Sequence, residues 1–425
     1  MLPETDVTFF MDVITIITLL LSISAFFSYL NQRVLRLPPS IGVMLIAVIL
    51  SVLMLTIGRY MNFSNDWLTK LAENINFSNV LLNVMLAFLL FATAMHFDYR
   101  KLKVLRLPII LLSTAGVLIS TFVFGILAYW ILPSLGVDIS FSYCLLFGAI
   151  VAPTDPIAVA AILKRAKMPS RLDTIISGES MFNDAVSLIL FVVLLDITAL
   201  PSVPSDAGSI LKMLGLEVLG GALVGLAAGL AGHLLIRTLR DFQTVLLITI
   251  ALVLVISLLA HHVHASVPLA AVTSGLIIGN QTYESGHPAG KPLARIWSLL
   301  DEVLNTILFV MIGLQLIVLP FVGSYWLVGI IGIGVALVAR AASLLLPTMV
   351  SLRKVKPGNL FLLTWAGVRG GISIAMALIL PPAPYRELVL SGCYIIVLFS
   401  IIVQGLTLGP AIKKIVTNPE EGETI

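Results

Sequence analysis

Runs of apolar residues long enough to cross a bilayer dominate this chain. A helix needs about 20 such residues to traverse roughly 30 Å of hydrocarbon. Thirteen apolar segments are read along the 425 residues, at 11–30, 40–58, 79–97, 107–132, 141–163, 174–195, 210–236, 242–260, 266–280, 297–320, 326–350, 359–380 and 388–412. Their continuity argues against a transmembrane β-barrel, whose strands alternate apolar and polar residues. Only 11% of residues are charged, against about 25% in soluble proteins, so soluble, disordered and nucleic-acid-binding classes are excluded. Cys144 and Cys393 each lie alone in an apolar stretch and read as packing residues. The first segment lacks a preceding basic region and a following small-residue cleavage site, so a retained helix is expected rather than a signal peptide.

The basic residues fix an orientation. Arg33, Arg36, Arg100, Lys101, Lys103, Arg106, Lys164, Arg165, Lys167, Arg171, Arg237 and Arg240 all fall in alternate connections. So do Lys291, Arg295, Arg353, Lys354, Lys356, Lys413 and Lys414, bringing that side to 19. The opposite side carries four, Arg59, Lys70, Lys212 and Arg386, while Arg340 and Arg369 lie inside apolar segments. By the positive-inside rule the N-terminus is outside and the C-terminus cytoplasmic. The short ninth segment must cross, or every later basic cluster would change sides.

Thirteen crossings allow segments one to six to recur, inverted, as eight to thirteen, with the seventh as connector. Interrupted helices are then expected in pairs, with a binding site near the midplane. The fifth and twelfth segments, which correspond under this scheme, each carry a breaker. One reads Ala152-Pro153-Thr154-Asp155-Pro156 and the other Gly367-Val368-Arg369-Gly370-Gly371. Such breaks free backbone groups, which a membrane tolerates only around a polar cavity or a bound group.

Charges inside apolar spans cost about 2.5–3.5 kcal/mol each and are functional candidates. Asp155, Glu179, Asp184, Arg340 and Arg369 are the clearest. Ser177, Ser180, Asp184 and Ser187 share one narrow helical face, from which Glu179 points away. Burial makes a protonated or cation-bound Asp184 cheaper than the bare carboxylate. Thr154, Asp155, Ser180 and the carbonyls freed at the fifth-segment break are the oxygen ligands that a hard cation such as Na⁺ requires. Arg369 is placed to compensate carbonyl-end dipoles and Asp155. Glu179 and Arg340 lack other partners at similar depth and are expected to pair structurally.

Other features point less sharply. His261, His262 and His264 read as solvated loop residues at an external helix end, Asp301 and Glu302 as complements to a helix N-terminus, and Gln404 as a lone polar group in the core. Asn62-Phe63-Ser64 and Asn76-Phe77-Ser78 match a short glycosylation pattern.

The stretch VAPTDPIAVAAILKRAKMPSRLDTIISGESMFNDAVSLILF resembles the signature of the cation/proton antiporter 1 family, the NhaP/NHE-type sodium/proton exchangers. So do TWAGVRGGISIAMAL at 364–378 and LLDEVLNTILFVMIGLQL at 299–316. The resemblance implies an all-α membrane fold of 13 helices similar to that of NhaA, with two inverted six-helix repeats and crossed, interrupted helices five and twelve. It implies that Asp184 of the Asn183-Asp184 pair carries the ion or proton, completed by Thr154, Asp155 and Ser180, with Glu179 and Arg340 as the family's structural ion pair. Relatives with Asn-Asp at this place are typically electroneutral. One departure is Phe91-Ala92-Thr93-Ala94-Met95-His96, with alanine at the position where many prokaryotic relatives carry an acid.

The combined expectation is a single antiporter membrane domain, 1–425, in a bacterial cytoplasmic membrane and serving pH homeostasis. Its transport core is about 107–195 and 326–412, its dimerisation bundle about 11–97 and 210–320, and 413–425 a short cytoplasmic tail. It would act as a homodimer, without a cofactor, exchanging Na⁺ or Li⁺ for H⁺ by elevator-type alternating access. K⁺/H⁺ exchange on the same scaffold stays open. An intramembrane aspartyl protease using Asp155 and Asp184 lacks the sequence context of such enzymes, and nothing resembles the pore-loop filter of a cation channel.

Overall fold

A computed structural model describes residues 4–61, 85–155, 159, 162–163, 166, 168–199, 207–284, 288–317, 319, 325–351, 357–383 and 385–415. The two glycosylation patterns, Pro156 and most of the fifth segment beyond it lie outside the described residues. What is described is helical, in 16 α-helices. These are α1 (Glu4–Leu30), α2 (Pro39–Met61), α3 (Leu86–His96), α4 (Tyr99–Ser113), α5 (Ala115–Ile131), α6 (Phe141–Val151), α7 (Ser170–Ala199) and α8 (Ala207–Ile236). They continue as α9 (Phe242–His262), α10 (Val267–Gly279), α11 (Gly290–Gln315), α12 (Tyr325–Ser351), α13 (Pro357–Trp365), α14 (Gly371–Ile379), α15 (Arg386–Phe399) and α16 (Gly405–Ile415).

Each of the thirteen expected segments contains helix. Among the described residues, eight helical runs are long and apolar enough to cross a membrane: α2, α4 with α5, α7, α8, α9, α11, α12, and α15 with α16. The twelfth segment is split into α13 and α14, and α10, the ninth, has only 13 residues.

The chain forms two compact units. The first comprises 1–77 and 302–320. Its core packs Phe27, Val43, Ile46, Ala47 and Val310, and buried Ser51 donates to the Gly313 carbonyl at 2.9 Å. The second comprises 78–301 and 321–425. There, only 22% of the apolar window of α9 is buried in protein, against 72% for α15–α16. Within this unit α9 is therefore peripheral and α15–α16 central. Leu247 and Leu258 of α9 are largely exposed, as suits a face turned to lipid chains. Gly221, Gly225 and Gly229, four residues apart on α8, let α10 approach closely. A Cβ on Gly221 would stand 2.7 Å from the Ser266 carbonyl oxygen, and one on Gly229 3.0 Å from Ser274 Cα. Small-residue spacing of this kind is the usual device where helices must pack without a hydrophobic drive.

One expected connection turns out to be helix. Arg100, Lys101, Lys103 and Arg106 lie in α4, which begins at Tyr99, well before the apolar segment. Asp98 nucleates it by accepting from the amides of Arg100 and Lys101 at 3.0 and 3.4 Å. Lysine and arginine are good helix formers, so a charged stretch can extend an apolar helix outward. The helix kinks at Leu105, whose φ and ψ are −102° and 15°. Pro108 causes this by removing a backbone donor and crowding the preceding turn.

Candidate functional site

The two predicted breaks are present and meet each other within the second unit. α6 ends at Val151 and the backbone runs non-helically through Ala152–Asp155, while α13 ends at Trp365 and α14 starts only at Gly371. The Asp155 amide donates to the Val368 carbonyl at 2.7 Å, a main-chain bond from one break to the other. Arg369 is buried, and its Nη1 donates to the Ala152 carbonyl and, at 3.2 Å, to that of Pro153. Those carbonyls close the negative end of α6, so the buried guanidinium offsets a helix dipole there. Asp155 lies against Gly370, the residue preceding α14. A Cβ built there would stand 2.5 Å from Asp155 Cβ and Oδ2. Only glycine admits this approach, and it sets the carboxylate at the positive end of α14.

From α7, Ser180, Asn183 and Asp184 face the first break, all at most 3% exposed. Asn183 Nδ2 donates to Thr154 Oγ1 at 2.7 Å, and its Oδ1 receives the Thr154 amide at 3.5 Å. Thr154 and Ser180 share a hydroxyl hydrogen bond of 2.9 Å. These bonds fix the hydroxyl oxygens with lone pairs to spare. Asp184 Oδ1 is buried with no hydrogen-bond partner among the described residues, and so is Ser187 Oγ one turn on. A buried, unpartnered carboxylate oxygen is costly, and such groups are rare unless a proton, water or ion completes them. Hydroxyl, carboxylate and carbonyl oxygens together form a hard-cation donor set, unlike the thiolate and imidazole sets of transition metals.

On its other side α7 is pinned by charge. Glu179 and Arg340 of α12 are both buried and form a bidentate pair, with Arg340 Nη1 donating to Oε1 and Nη2 to Oε2 at 2.9 Å. Nη2 also reaches the Leu363 carbonyl of α13 at 3.3 Å. A Cβ on Gly367 would be 2.6 Å from Arg340 Nε. The pair therefore braces α7, α12 and the twelfth-segment break together, and makes no hydrogen bond to Asp184.

The family described as "Sodium/hydrogen exchanger, transmembrane" matches residues 21–414. The chain belongs to the sodium/hydrogen exchanger family. It is thus a secondary transporter, not an enzyme. It is 39% identical over 410 residues to the Na(+)/H(+) antiporter NhaP of Pseudomonas aeruginosa, covering 93% of this chain and 95% of that relative. It is 29% identical over 412 residues to the Na(+)/H(+) antiporter NhaH of Halobacillus aidingensis, covering 96% and 98%. Its fold is similar to that of the sodium proton antiporter MjNhaP1 from Methanocaldococcus jannaschii at pH 8. The TM-score there is 0.77 with 20% identity, over 96% of this chain and 100% of that one.

All eight site residues singled out from the sequence of this exchanger-family chain lie in the second unit. Thr154, Ser180 and Asn183 form one network, Asp155 touches the opposite break, Arg369 caps α6, and Glu179 and Arg340 pair with each other. One contributor was not foreseen. Ser400, buried, accepts from the Arg369 backbone amide at 2.8 Å and donates to Gln404 Oε1, while Gln404 Nε2 donates to the Trp365 carbonyl at 3.3 Å. The two stand at either end of a π-helical turn, Ser400–Gln404, between α15 and α16. Its only sequence signal was Gln404, polar in an apolar run.

Proposed function

We propose that the chain is an electroneutral Na⁺/H⁺ antiporter, also accepting Li⁺, that exchanges one cation for one proton at Asp184. The relatives above are named Na(+)/H(+) antiporters, and a membrane protein with this helical fold supports multi-pass insertion in a bacterial cell membrane. The observation that carries the site is the buried Asp184 Oδ1 with no hydrogen-bond partner among the described residues, set beside the fixed oxygens of Thr154 and Ser180. A proton or a Na⁺ completes that oxygen equally well, and one carboxylate holds one of them at a time. Asp155 and the carbonyls of the first break complete the cation shell, Asn183 holds Thr154 in place, and Arg369 compensates the α6 end in either state.

Coupling follows from cost. A bare carboxylate is expensive to carry past apolar walls, so only the protonated and cation-loaded forms cross. In this reading thirteen helices span the membrane with the N-terminus outside. The core, about 107–195 and 326–412, moves against the dimerisation bundle, about 11–97 and 210–320, within a homodimer. Asp184→Asn in proteoliposomes is the test. The variant is expected to purify as a folded protein and to show no Na⁺-driven proton movement. Exchange at the wild-type rate would remove Asp184 from the site.

A further inference from the structure

Hydroxyls on the helices of this chain commonly bond back to their own helix. Thr174, Thr198, Ser257 and Thr273 each donate to the carbonyl four residues earlier, at 2.6–3.0 Å, which satisfies the group where no water reaches it. Three hydroxyls in the second unit behave differently. Thr121 of α5, Ser187 of α7 and Ser373 of α14 are at most 1% exposed, and none has a hydrogen-bond partner among the described residues. Ser373 stands in the first turn of α14, where no preceding helical turn offers it a carbonyl. The three share a depth. Ser187 lies three residues beyond Asp184, and Ser373 two beyond Gly371, where α14 leaves the second break. Thr121 lies beside the last turn of α6, which ends at Val151: a Cβ on Gly148 would stand 2.6 Å from the Thr121 carbonyl oxygen. Each is therefore within about one helical turn, roughly 5 Å, of the level of the breaks. α5, α7 and α14 all pack against α6, and α7 packs against the other two as well.

A buried hydroxyl without a partner is costly, and here three occur at the level of an equally unpartnered Asp184 Oδ1. Such a set calls for a ligand that both donates and accepts. Water is that ligand, because a buried water makes about three hydrogen bonds to groups otherwise unsatisfied, and each hydroxyl offers it one donor and two lone pairs. We propose that Thr121, Ser187 and Ser373 hold a small cluster of buried water that reaches Asp184 Oδ1 and serves as its proton route on the outer side. A proton leaving Asp184 goes to the adjoining water, and each hydroxyl passes one on by accepting at a lone pair and releasing its own. A cation cannot be relayed in this way, so the cluster sets the rate of proton transfer and not the affinity for Na⁺. The water site stands on the hydroxyls alone; its part in proton transfer and its place on the outer side rest on the reading and orientation proposed above.

The test reads the water first and transport second. The purified full-length chain in detergent is given a short X-ray pulse in oxygen-isotope-labelled water, and oxidation is read at Met376 by peptide mass spectrometry. Met376 is fully buried and stands one turn on from Ser373, on the same face of α14. Radicals formed in bulk solvent do not reach it, whereas those formed from bound water do. The wild type is expected to take up label at Met376, and Ser187→Ala/Ser373→Ala to fall to background. In proteoliposomes the same variant should exchange at least about tenfold more slowly at saturating Na⁺, since a positioned proton relay is worth about 10²–10⁴ in rate, with the half-saturating Na⁺ concentration unchanged. Should the double variant fold poorly, Ser373→Ala replaces it with the same expectations. Absence of label in the wild type, or equal label in the variant, overturns the water site; wild-type exchange by a variant that has lost the label overturns the proton route. Labelling needs no transport, so its failure leaves the antiport reading untouched, while exchange by Asp184→Asn would remove that reading and leave the labelled site standing.

Discussion

Breaking the Glu179–Arg340 pair should destabilise the protein far more than deleting it whole. Both residues are buried, at 1% and 6% exposure, and two hydrogen bonds join them. Removing one partner of such a pair costs about 3–5 kcal/mol, because the other charge is left uncompensated in a medium that cannot solvate it. Arg340→Met should fall at the upper end, since it also frees the Leu363 carbonyl. Glu179→Gln should fall near the lower end, because the amide oxygen still accepts one guanidinium bond. Glu179→Met/Arg340→Met removes both desolvation penalties, and apolar replacement of a buried pair is often neutral or stabilising. With Glu179→Met as the matching single, the double variant should lose less than either single, giving a coupling of more than about 3 kcal/mol in a mutant cycle. Equilibrium unfolding in mixed dodecyl maltoside and SDS micelles reads these differences. Losses that simply add would refute the reasoning, since the pair would then behave as two independent contacts.

Ser400→Ala leaves the buried Arg369 amide without its acceptor, at a cost of about 1–3 kcal/mol. Lower thermal stability and a weaker apparent Na⁺ affinity are expected in proteoliposomes; wild-type values for both would show that the π-helical turn does not position the break. Gly370→Ala forces a methyl into the space of the Asp155 side chain, an overpacking worth about 1–3 kcal/mol, and exchange should fall sharply although no ligand atom is removed. A rate equal to wild type would mean that the two breaks can separate freely. At the surface, Asp241 caps α9 through the Thr244 hydroxyl and amide, at 2.6 and 2.8 Å. These bonds hold its carboxyl below the ordinary value of 3.8. A depressed carboxyl contributes stability that is fully present above its unfolded value and is lost as pH falls through the folded one. Asp241→Asn should thus lower the melting temperature at pH 7, with the difference from wild type closing only in strong acid; a difference that widens on acidification would contradict the sign.

The helix breaks were legible because prolines and clustered glycines mark the sequence directly, and the α7 face because helical period puts Ser180, Asp184 and Ser187 in line. Pairing of Glu179 with Arg340 could be anticipated by elimination, since few buried charges exist to choose from. Three features were hidden for physical reasons. A π-helical turn inserts a residue without any compositional mark, so Ser400 looked like an ordinary small residue. The start of α4 at Tyr99 was masked because hydropathy registers the charges of Arg100, Lys101, Lys103 and Arg106 but not their helix propensity. The bond from the Asp155 amide to the Val368 carbonyl joins backbone groups, which carry no residue identity at all.

The most direct test of one carboxylate shared by one cation and one proton is stoichiometric. Proton movement in proteoliposomes is followed with a pH-sensitive dye after adding Na⁺, Li⁺ or K⁺, and the experiment is repeated with the membrane potential clamped by valinomycin and K⁺. The account predicts a response to Na⁺ and Li⁺ whose rate is the same at every clamped potential. A rate that follows the potential would contradict one-for-one exchange at Asp184, and a response to K⁺ alone would contradict the cation.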